Sequence, residues 1–600
     1  MSVVSSIADV VVGTIDASLP KDRLSSKQFL TAVDVLGEGE IGGFPSAIAY
    51  GSSQGSASYQ TASLKDIYLN KTPILTANAD PAGPQDHEYN FRDIGFDSRF
   101  GTSNQTYIKG ISEIETEKAV NVLVEKDSPI TRSITNTAVT SVRVTVVFPR
   151  MEKYEDDGDI VGSEADLQIK VQYNGLGYST IISDKVRGRS NSSYARDYII
   201  NLSGAFPIDI RVERTSADSN DSKNINAFQW STYTEIIDQQ RPYPNTAHVA
   251  LRFDAEQFPN IPRRSYKVRG IKTKIYSNAT VQSDGSLTFS GAWDGTFKAE
   301  KESHSDPSLI LWDILSNERY GFGQHISESQ LDKFTFYSVS QYNNEQVDNG
   351  LGGTEPRFAY NGSIQRQTSA FKLISDICSN MRCMPYWANN TLTISQDSPK
   401  DSSYIFNLSN VTDGGFTYRG SSVKTRATQI QVSYFDNATQ EVDWVEVNDT
   451  AMQAKWGIVV KKIRAVGVTS RGQASRLGKW MLYELFNSTE TVSFTTTIET
   501  CNVACGDVID IADPVRSGLR RGGRISAATT TQITVDNVDQ TDLDATNNAT
   551  LSVILPDGSS ETKSITSIVG SVITVSAAFS AIPNVNSVWV LANDTTETTQ

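Results

Sequence analysis

At 600 residues the chain is too long for one hydrophobic core, and at about 100–200 residues per domain it should hold roughly three to five domains. Its 54 Lys and Arg stand against 69 Asp and Glu, a net charge of −15. That balance argues against a protein whose main task is to grip nucleic acid, because phosphate binding needs clustered cations. Four Cys rule out a disulfide scaffold, and 40 Gly with 23 Tyr suit a β-rich, turn-rich chain better than a helical bundle.

Residues 1–27 read as an N-terminal arm, dotted with Ser and Asp. The apolar stretch from Ile7 to Ile15 is broken by Asp9 and precedes the first cation, Lys21, so it lacks the basic start of a signal peptide. No run approaches the roughly 18–20 apolar residues of a membrane helix. The expectation is a chain made in a cytoplasm and not addressed to a membrane by itself. Gln28 to Leu36 predicts a first strand, stopped by a Gly-rich turn at 37–43, and Ile67 to Leu75 predicts another. From 117 to 236 the pattern is almost wholly β. Ser141–Phe148, Leu167–Tyr173 and Ile208–Glu213 alternate apolar and polar, with turn clusters at 155–159 and 216–224, as in a β-sandwich or barrel.

Helices follow in the middle. Asp306-Pro307 supplies an N-cap and a proline at the first helical position, and that helix should end near Gly321. Ser327 and Gln330 have the spacing of a capping box for a second helix. A third should start at Thr368, with Phe371, Ile374, Cys378 and Met381 forming one buried stripe. Strands follow at Met384–Trp387 and Thr391–Gln396. Beyond 425 the chain returns to β, interrupted by a helix from Ser470 to about Phe486. The short alternating segments from 524 to 591 read as a small barrel of their own.

Most motifs that suggest chemistry fail on context. Gly37, Gly39 and Gly42 have dinucleotide-loop spacing, but Phe44-Pro45 follows where a helix should begin, and Glu38 and Glu40 would repel a pyrophosphate. Gly51, Ser53 and Gly55 have nucleophile-elbow spacing, again with no helix expected next. His87, His248, His304 and His325 show no diagnostic acidic partner. Cys378 with Cys383, and Cys501 with Cys505, are too loosely spaced for a zinc site and read as buried thiols. Asp536, Asp539, Asp542 and Asp544 crowd a loop that lacks the glycine of an EF-hand, so a solvated acidic loop is expected there rather than a calcium site. Arg516, Arg520, Arg521 and Arg524 form the basic cluster, which is either a phosphate grip or a solvated or inter-subunit loop. No cofactor, metal or catalytic residue is expected.

Twelve phrases then become specific in combination: FLTAVDVLGEGEIGG at 29–43, NKTPIL at 70–75, DSPITRSIT at 127–135, WSTYTEIID at 230–238, YPNTA at 243–247, WDGTFK at 293–298, LWDILSNERYGFG at 311–323, GGTEPR at 352–357, DICSNMRCMP at 376–385, TSRGQA at 469–474, GDV at 506–508 and GGR at 522–524. Their order and separations resemble the N-terminal hub half of the tail tip J proteins of lambda-like siphophages, across about 28–591. The likeness lapses at 1–26, at 76–116 and at Cys501–Cys505. It marks Trp230, Glu235, Asp238, Trp293, Asp294, Phe297, Arg319, Tyr320, Arg357, Arg471 and Arg524 as structural or interface positions.

The resemblance implies a mainly β, multidomain α+β chain. Its expected parts are a first tube-type β-barrel hub domain (28–75 with 245–300), an inserted β-sandwich (76–244) and an α/β hub domain (301–400). A second tube-type barrel (401–523), an OB-like inserted barrel (524–592) and a polar tail (593–600) complete it. It implies a non-enzymatic structural hub at the distal tail tip of a virion, assembled in the host cytoplasm as a homotrimer. The implied partners are distal tail and tail tip proteins, the tape measure protein, and phage DNA passing through the lumen. A host outer-surface receptor would be met through a C-terminal region not in this sequence. The competing readings are a carbohydrate-active enzyme with accessory β-domains and a receptor-binding adhesin. The small barrel has only Phe579 and Trp589 as aromatic rings within Ile525–Leu591, too few for a stacking platform, so it reads as a spacer or inter-subunit contact.

Overall fold

A computed structural model describes residues 29–593 apart from 52–55, 109–112, 220, 367, 423–425, 519 and 539–547. The expected arm at 1–27, the polar tail beyond Asn593, and Ser53, Gly55, Asp539, Asp542 and Asp544 lie outside the described residues. The chain divides into two compact units, Met1–Lys272 and Thr273–Gln600, and both are rich in strands.

In the first unit, Phe29–Glu38 and Gly95–Phe100 flank Thr246–Asp254 in an antiparallel three-stranded sheet. Alternation orients these strands: Ala247, Val249 and Leu251 enter a core with Phe44, Tyr59, Ile67 and Leu69, while Val33 and Val35 face outward. Gly95–Phe100, which sequence reading placed inside the insertion, therefore pairs with the segment that follows the insertion. The Gly-rich turn is a turn, with Gly39 at φ +96°. A five-residue helix, Pro45–Ala49, nonetheless follows it, because proline at the first helical position starts a helix rather than forbidding one. A second helix, Ala57–Ser63, likewise follows residues 51–55, against expectation, with Ser56 as its cap.

The inserted segment is a sandwich of two antiparallel four-stranded sheets. One orders Tyr178–Gly188, Ser163–Tyr173, Ile208–Arg214 and Ile130–Ile134; the other orders Tyr194–Asn201, Ser141–Phe148, Gln229–Asp238 and Glu113–Leu123. The alternating residues seen in the sequence meet between the sheets, with Val142, Val144, Val146, Ile169, Val171, Ile210, Val212 and Trp230 in one core.

The second unit begins with a hairpin, Ala279–Val281 and Leu287–Phe289, and three helices, Pro307–Ser316, Lys333–Asn343 and Ala370–Asn380. The first helix stops at Ser316, not near Gly321, because the chain folds back and the Phe322 amide bonds the Ile314 carbonyl at 2.8 Å. A Cβ on Gly321 would lie 2.1 Å from that carbonyl oxygen, so the return requires glycine. The box at Ser327 and Gln330 caps a single 3-10 turn, and Asp332 caps the helix proper. Ser369, not Thr368, caps the third helix. Ile377, Cys378 and Met381 are buried and Ile374 packs half-buried against the same core, whereas Phe371 is 80% exposed.

Cys383–Ala388 pairs with Thr391–Gln396 as expected. Tyr404–Asn407 runs parallel to Ile509–Ala512, and Val411–Gly420 pairs with Glu490–Thr496. Gln429–Asp436 is the middle of a three-stranded sheet with Glu441–Asn448 and Val460–Arg464, covered on one face by the helix Arg471–Asn487. Gly522–Ala592 closes into a barrel of six strands with its own core around Trp589.

Candidate functional site

The sequence-marked residues do not converge on one pocket. They form separate knots, each built by a different phrase of the sequence.

Trp293, Asp294 and Phe297 form a turn with an aromatic anchor on each side. The Asp294 carboxylate accepts from the Thr296 amide at 2.9 Å, the Thr296 hydroxyl at 2.7 Å and the Ser277 hydroxyl at 2.8 Å. Those bonds to the charged form hold its pKa down at about 2, with the Thr296 hydroxyl the largest cause. The Trp293 indole donates to the Thr296 carbonyl at 2.5 Å and stacks on Tyr337 with ring centroids 4.7 Å apart. Tyr276 meets the edge of Trp293 at 4.9 Å and stacks on Phe297 at 5.4 Å, and Phe297 in turn meets Trp312 at 5.5 Å. A carboxylate so firmly ionised and an indole with no free polar atom make an anchor, not an acid–base pair.

Beside this lies the buried carboxylate of Asp306, the predicted cap. It accepts from the Ser308 amide and hydroxyl, the Ser340 hydroxyl, and the Asn343 and Asn344 amides, tying the first two helices together. Tyr320 donates its hydroxyl to Asp313, whose pKa is pushed up by burial, and the Arg319 amide bonds the Asn317 side chain at 2.9 Å. The Arg319 side chain is exposed.

The phrases at 352–357 and 469–474 come together. Ser470 donates to Glu355, Arg476 pairs with Glu355 at 2.6 Å, and Gln473 brackets the Ala359 backbone at 3.1 and 3.2 Å. Arg357 pairs with Glu345 at 2.6 Å and lies over Tyr342 at 4.3 Å. Arg471 is exposed at the helix start; the buried Gln473, which sequence reading did not single out, makes the docking contact.

In the sandwich, Trp230 is fully buried, Glu235 pairs with Lys118 at 2.5 Å, and Asp238 accepts from the Gln240 amide at 3.1 Å. Trp230 and Glu235 thus tie parts of the sandwich together, whereas Asp238 shapes the turn that leaves it.

Arg516, Arg520 and Arg524 of the basic cluster are each paired with a carboxylate, and Arg521 bonds a neutral amide. Arg516 pairs with Glu490 and lies over Tyr418 at 4.5 Å. Arg520 pairs with Asp536 and Arg521 bonds Asn593 at 3.0 Å. Arg524 makes a two-pronged pair with Glu499 at 2.6 and 3.1 Å. A phosphate would have to displace these carboxylates. The two barrel aromatics, Phe579 and Trp589, are buried, so neither offers a stacking surface.

Cys378 and Cys383 offer no ready thiolate. Burial pushes Cys378 up to about 12 and Cys383 well above the ordinary thiol value. Cys501 and Cys505 are exposed rather than buried, because the loop after Glu490–Thr496 stays outside the core. Among the described residues no group of three or more His, Cys, Asp or Glu is placed to hold a metal, and no helix is long and apolar enough to cross a membrane.

Sequence reading missed one groove, of about 740 Å³, walled by Arg382, Met384, Asp397, Leu477, Trp480 and Met481 among others. Arg382 lies over Trp480 at 5.0 Å, and the Trp480 indole donates to Asp397 at 2.7 Å. Trp480 and Asp397 are thus partnered to each other, while the Arg382 Nε lies buried without a hydrogen-bond partner. Only long-range pairing of strand, helix and loop creates the groove, so no local pattern could announce it.

Residues 114–239, the sandwich, match the family model for the FNIII-A domain of tip attachment protein J. Residues 369–527 match a family model described as a putative phage tail protein. Tip attachment protein J of Escherichia phage SECphi27 is 35% identical over 478 residues, 79% of this chain and 39% of that protein. The protein of the same name from Escherichia phage SECphi4 is 32% identical over 568 residues, 94% of this chain and 47% of that protein. The chain is a homologue of tip attachment protein J. It spans less than half the length of these tip attachment relatives, which are named for attachment and not for catalysis. Among solved structures, part of a native gene transfer agent virion is 12% identical, covering 57% of this chain and 65% of that one with a TM-score of 0.28. That score is too low to argue from.

Proposed function

We propose that the chain is a structural part of a bacteriophage tail tip: the central hub that closes the distal tail tube, organises tail assembly and links the tube to a receptor-binding fibre. The observation that carries this reading is the likeness to tip attachment protein J over 94% of the chain, sandwich included. In this reading three copies form a ring. Residues 28–75 with 245–300, and residues 401–523, supply tube-type barrels, and 301–400 and 524–592 supply the α/β and OB-like parts. Distal tail proteins and the tape measure protein are the neighbours, and the host receptor is met by a further C-terminal region.

The electrostatics support a conduit. DNA must slide past such a surface, and unpaired lumen cations would hold phosphate and stall ejection. The net charge is −15, and the four arginines between 516 and 524 are each bonded within the chain.

Gold-labelled antibody against this chain, applied to intact virions, tests the placement. Label confined to the distal end of the tail is expected. Label on the head, along the tail shaft, or absent from the virion overturns the proposal.

A further inference from the structure

The three-stranded sheet of the second unit has two unlike edges. Glu441–Asn448 forms one edge and carries Glu441, Asp443 and Glu446 with no cation. Val460–Arg464 forms the other and carries Lys461, Lys462 and Arg464 with no acid. Among the described residues each outer strand pairs only with the middle strand, Gln429–Asp436. All of these charged side chains are exposed, and none is in an ion pair among the described residues, Glu441 left aside. On the face away from the covering helix, Val442 and Trp444 are 62% and 52% exposed.

An edge strand presents unpaired N–H and C=O groups, and charge normally protects it from pairing with other chains. Charges of one sign on both edges would do that. Here the signs are separated. Two acidic edges repel and two basic edges repel, so a two-fold pairing of like edges is disfavoured; an acidic edge against a basic edge is attractive. Unlike edges joined head to tail produce a ring or a filament.

We infer that the acidic edge strand of one copy pairs with the basic edge strand of the next copy, extending the sheet from chain to chain. The number that closes the ring rests on the proposed hub of three copies; the pairing rests on the two edges. Glu441–Asn448 runs against the middle strand and Val460–Arg464 runs with it. Copies related by rotation about an axis along the strands therefore meet in antiparallel fashion. In one register Val445 faces Ile463 on the helix side, while on the outer face Glu446 meets Lys462 and Trp444 meets Arg464. That register matches apolar with apolar and acid with base at once.

The test uses tail tips from phage whose chains carry Glu446→Cys and Lys462→Cys, in a background of Cys501→Ser and Cys505→Ser. Mild oxidation should link chains into dimers and trimers, and neither cysteine alone should link any. Dimers from Glu446→Cys alone would show like edges meeting and overturn the inference. A link to a different tip protein would overturn it as well. Tips that hold three copies and never link would overturn it while leaving the hub of three standing; tips with one copy would overturn both. If the cysteine chains do not assemble, charge exchange decides. Glu446→Lys should cut the yield of intact tails about tenfold, and adding Lys462→Glu should restore it. A normal yield with Glu446→Lys alone, or no rescue by the exchange, overturns the inference. Within one chain Glu446 accepts from the Gln429 side chain and Lys462 lies over Trp444 at 5.9 Å, so the thermal transition of each variant chain is measured beside the parent, and a yield loss that follows a lowered transition and is not rescued by the exchange overturns the inference.

Discussion

Trp293 gains its weight from four aromatic neighbours, Tyr337, Tyr276, Phe334 and Phe297, with ring centroids between 4.7 and 5.8 Å. Replacing it by Ala should cost about 2–4 kcal/mol, less than a fully enclosed ring because it is only half-buried. Urea unfolding of the full chain should show the loss, with Trp293→Phe recovering part of it; an unchanged midpoint would show that the ring is not an anchor. The sequence announced the turn through Trp293, Asp294 and Phe297, yet not Tyr276 or Tyr337, because partners 17 and 44 residues away leave no trace in local spacing. The same holds for Arg524, which looked like part of a cationic patch until Glu499 was found beside it.

His304 gives a second residue-scale test. Its Nδ1 accepts from the Asp306 amide at 3.2 Å and its Nε2 meets the Thr273 hydroxyl at 2.7 Å. Burial pushes its pKa below the ordinary imidazole value, although the carboxylates of Asp306 and Glu302 pull the other way. The unfolded chain therefore binds a proton that the folded chain resists. The contribution of His304 is complete above about pH 6.5 and declines as the pH drops below that value. His304→Gln should flatten the difference in stability between pH 7 and pH 5 relative to the parent, while an identical pH profile would count against the buried neutral ring.

At the scale of elements, capping and alternation were legible. Ser470 starts the helix Arg471–Asn487 and Asp306 starts Pro307–Ser316 because a short polar side chain satisfies the first free amides. Strand pairing was not legible. Nothing in Gly95–Phe100 says that it joins Thr246–Asp254 across an inserted sandwich, since that choice is made by burial against a distant core. Close approach is also invisible locally. Gly478 sits in the helix Arg471–Asn487 where a Cβ would lie 2.8 Å from Val447 Cγ2 and 3.2 Å from Val432 Cγ2. Gly478→Ala should gain about 1 kcal/mol of helix propensity and lose about 1–3 kcal/mol to overpacking, a net destabilisation. Adding Val447→Ala should return most of it in a denaturation series. A stabilised Gly478→Ala chain would mean that helix and sheet are not in contact there.

At the scale of the whole molecule, the charge balance and the order of twelve phrases carried most of the functional reading, and the alternating strands from 117 to 236 already pointed to a sandwich or barrel. What the phrases could not give was the opposite charge on the two edges of one sheet, because the strands at 441–448 and 460–464 become edges only after pairing with 429–436. A hub whose receptor reader lies elsewhere should not compete for host cells. Purified residues 1–600 are expected to leave phage adsorption unchanged at saturating concentration, and dose-dependent blocking would place receptor recognition within this segment.

The central claim is that this chain builds the tail tip as a closed ring of three. Native mass spectrometry of tips purified from virions counts the copies directly: three per tip is the expected result, and one or six would contradict it.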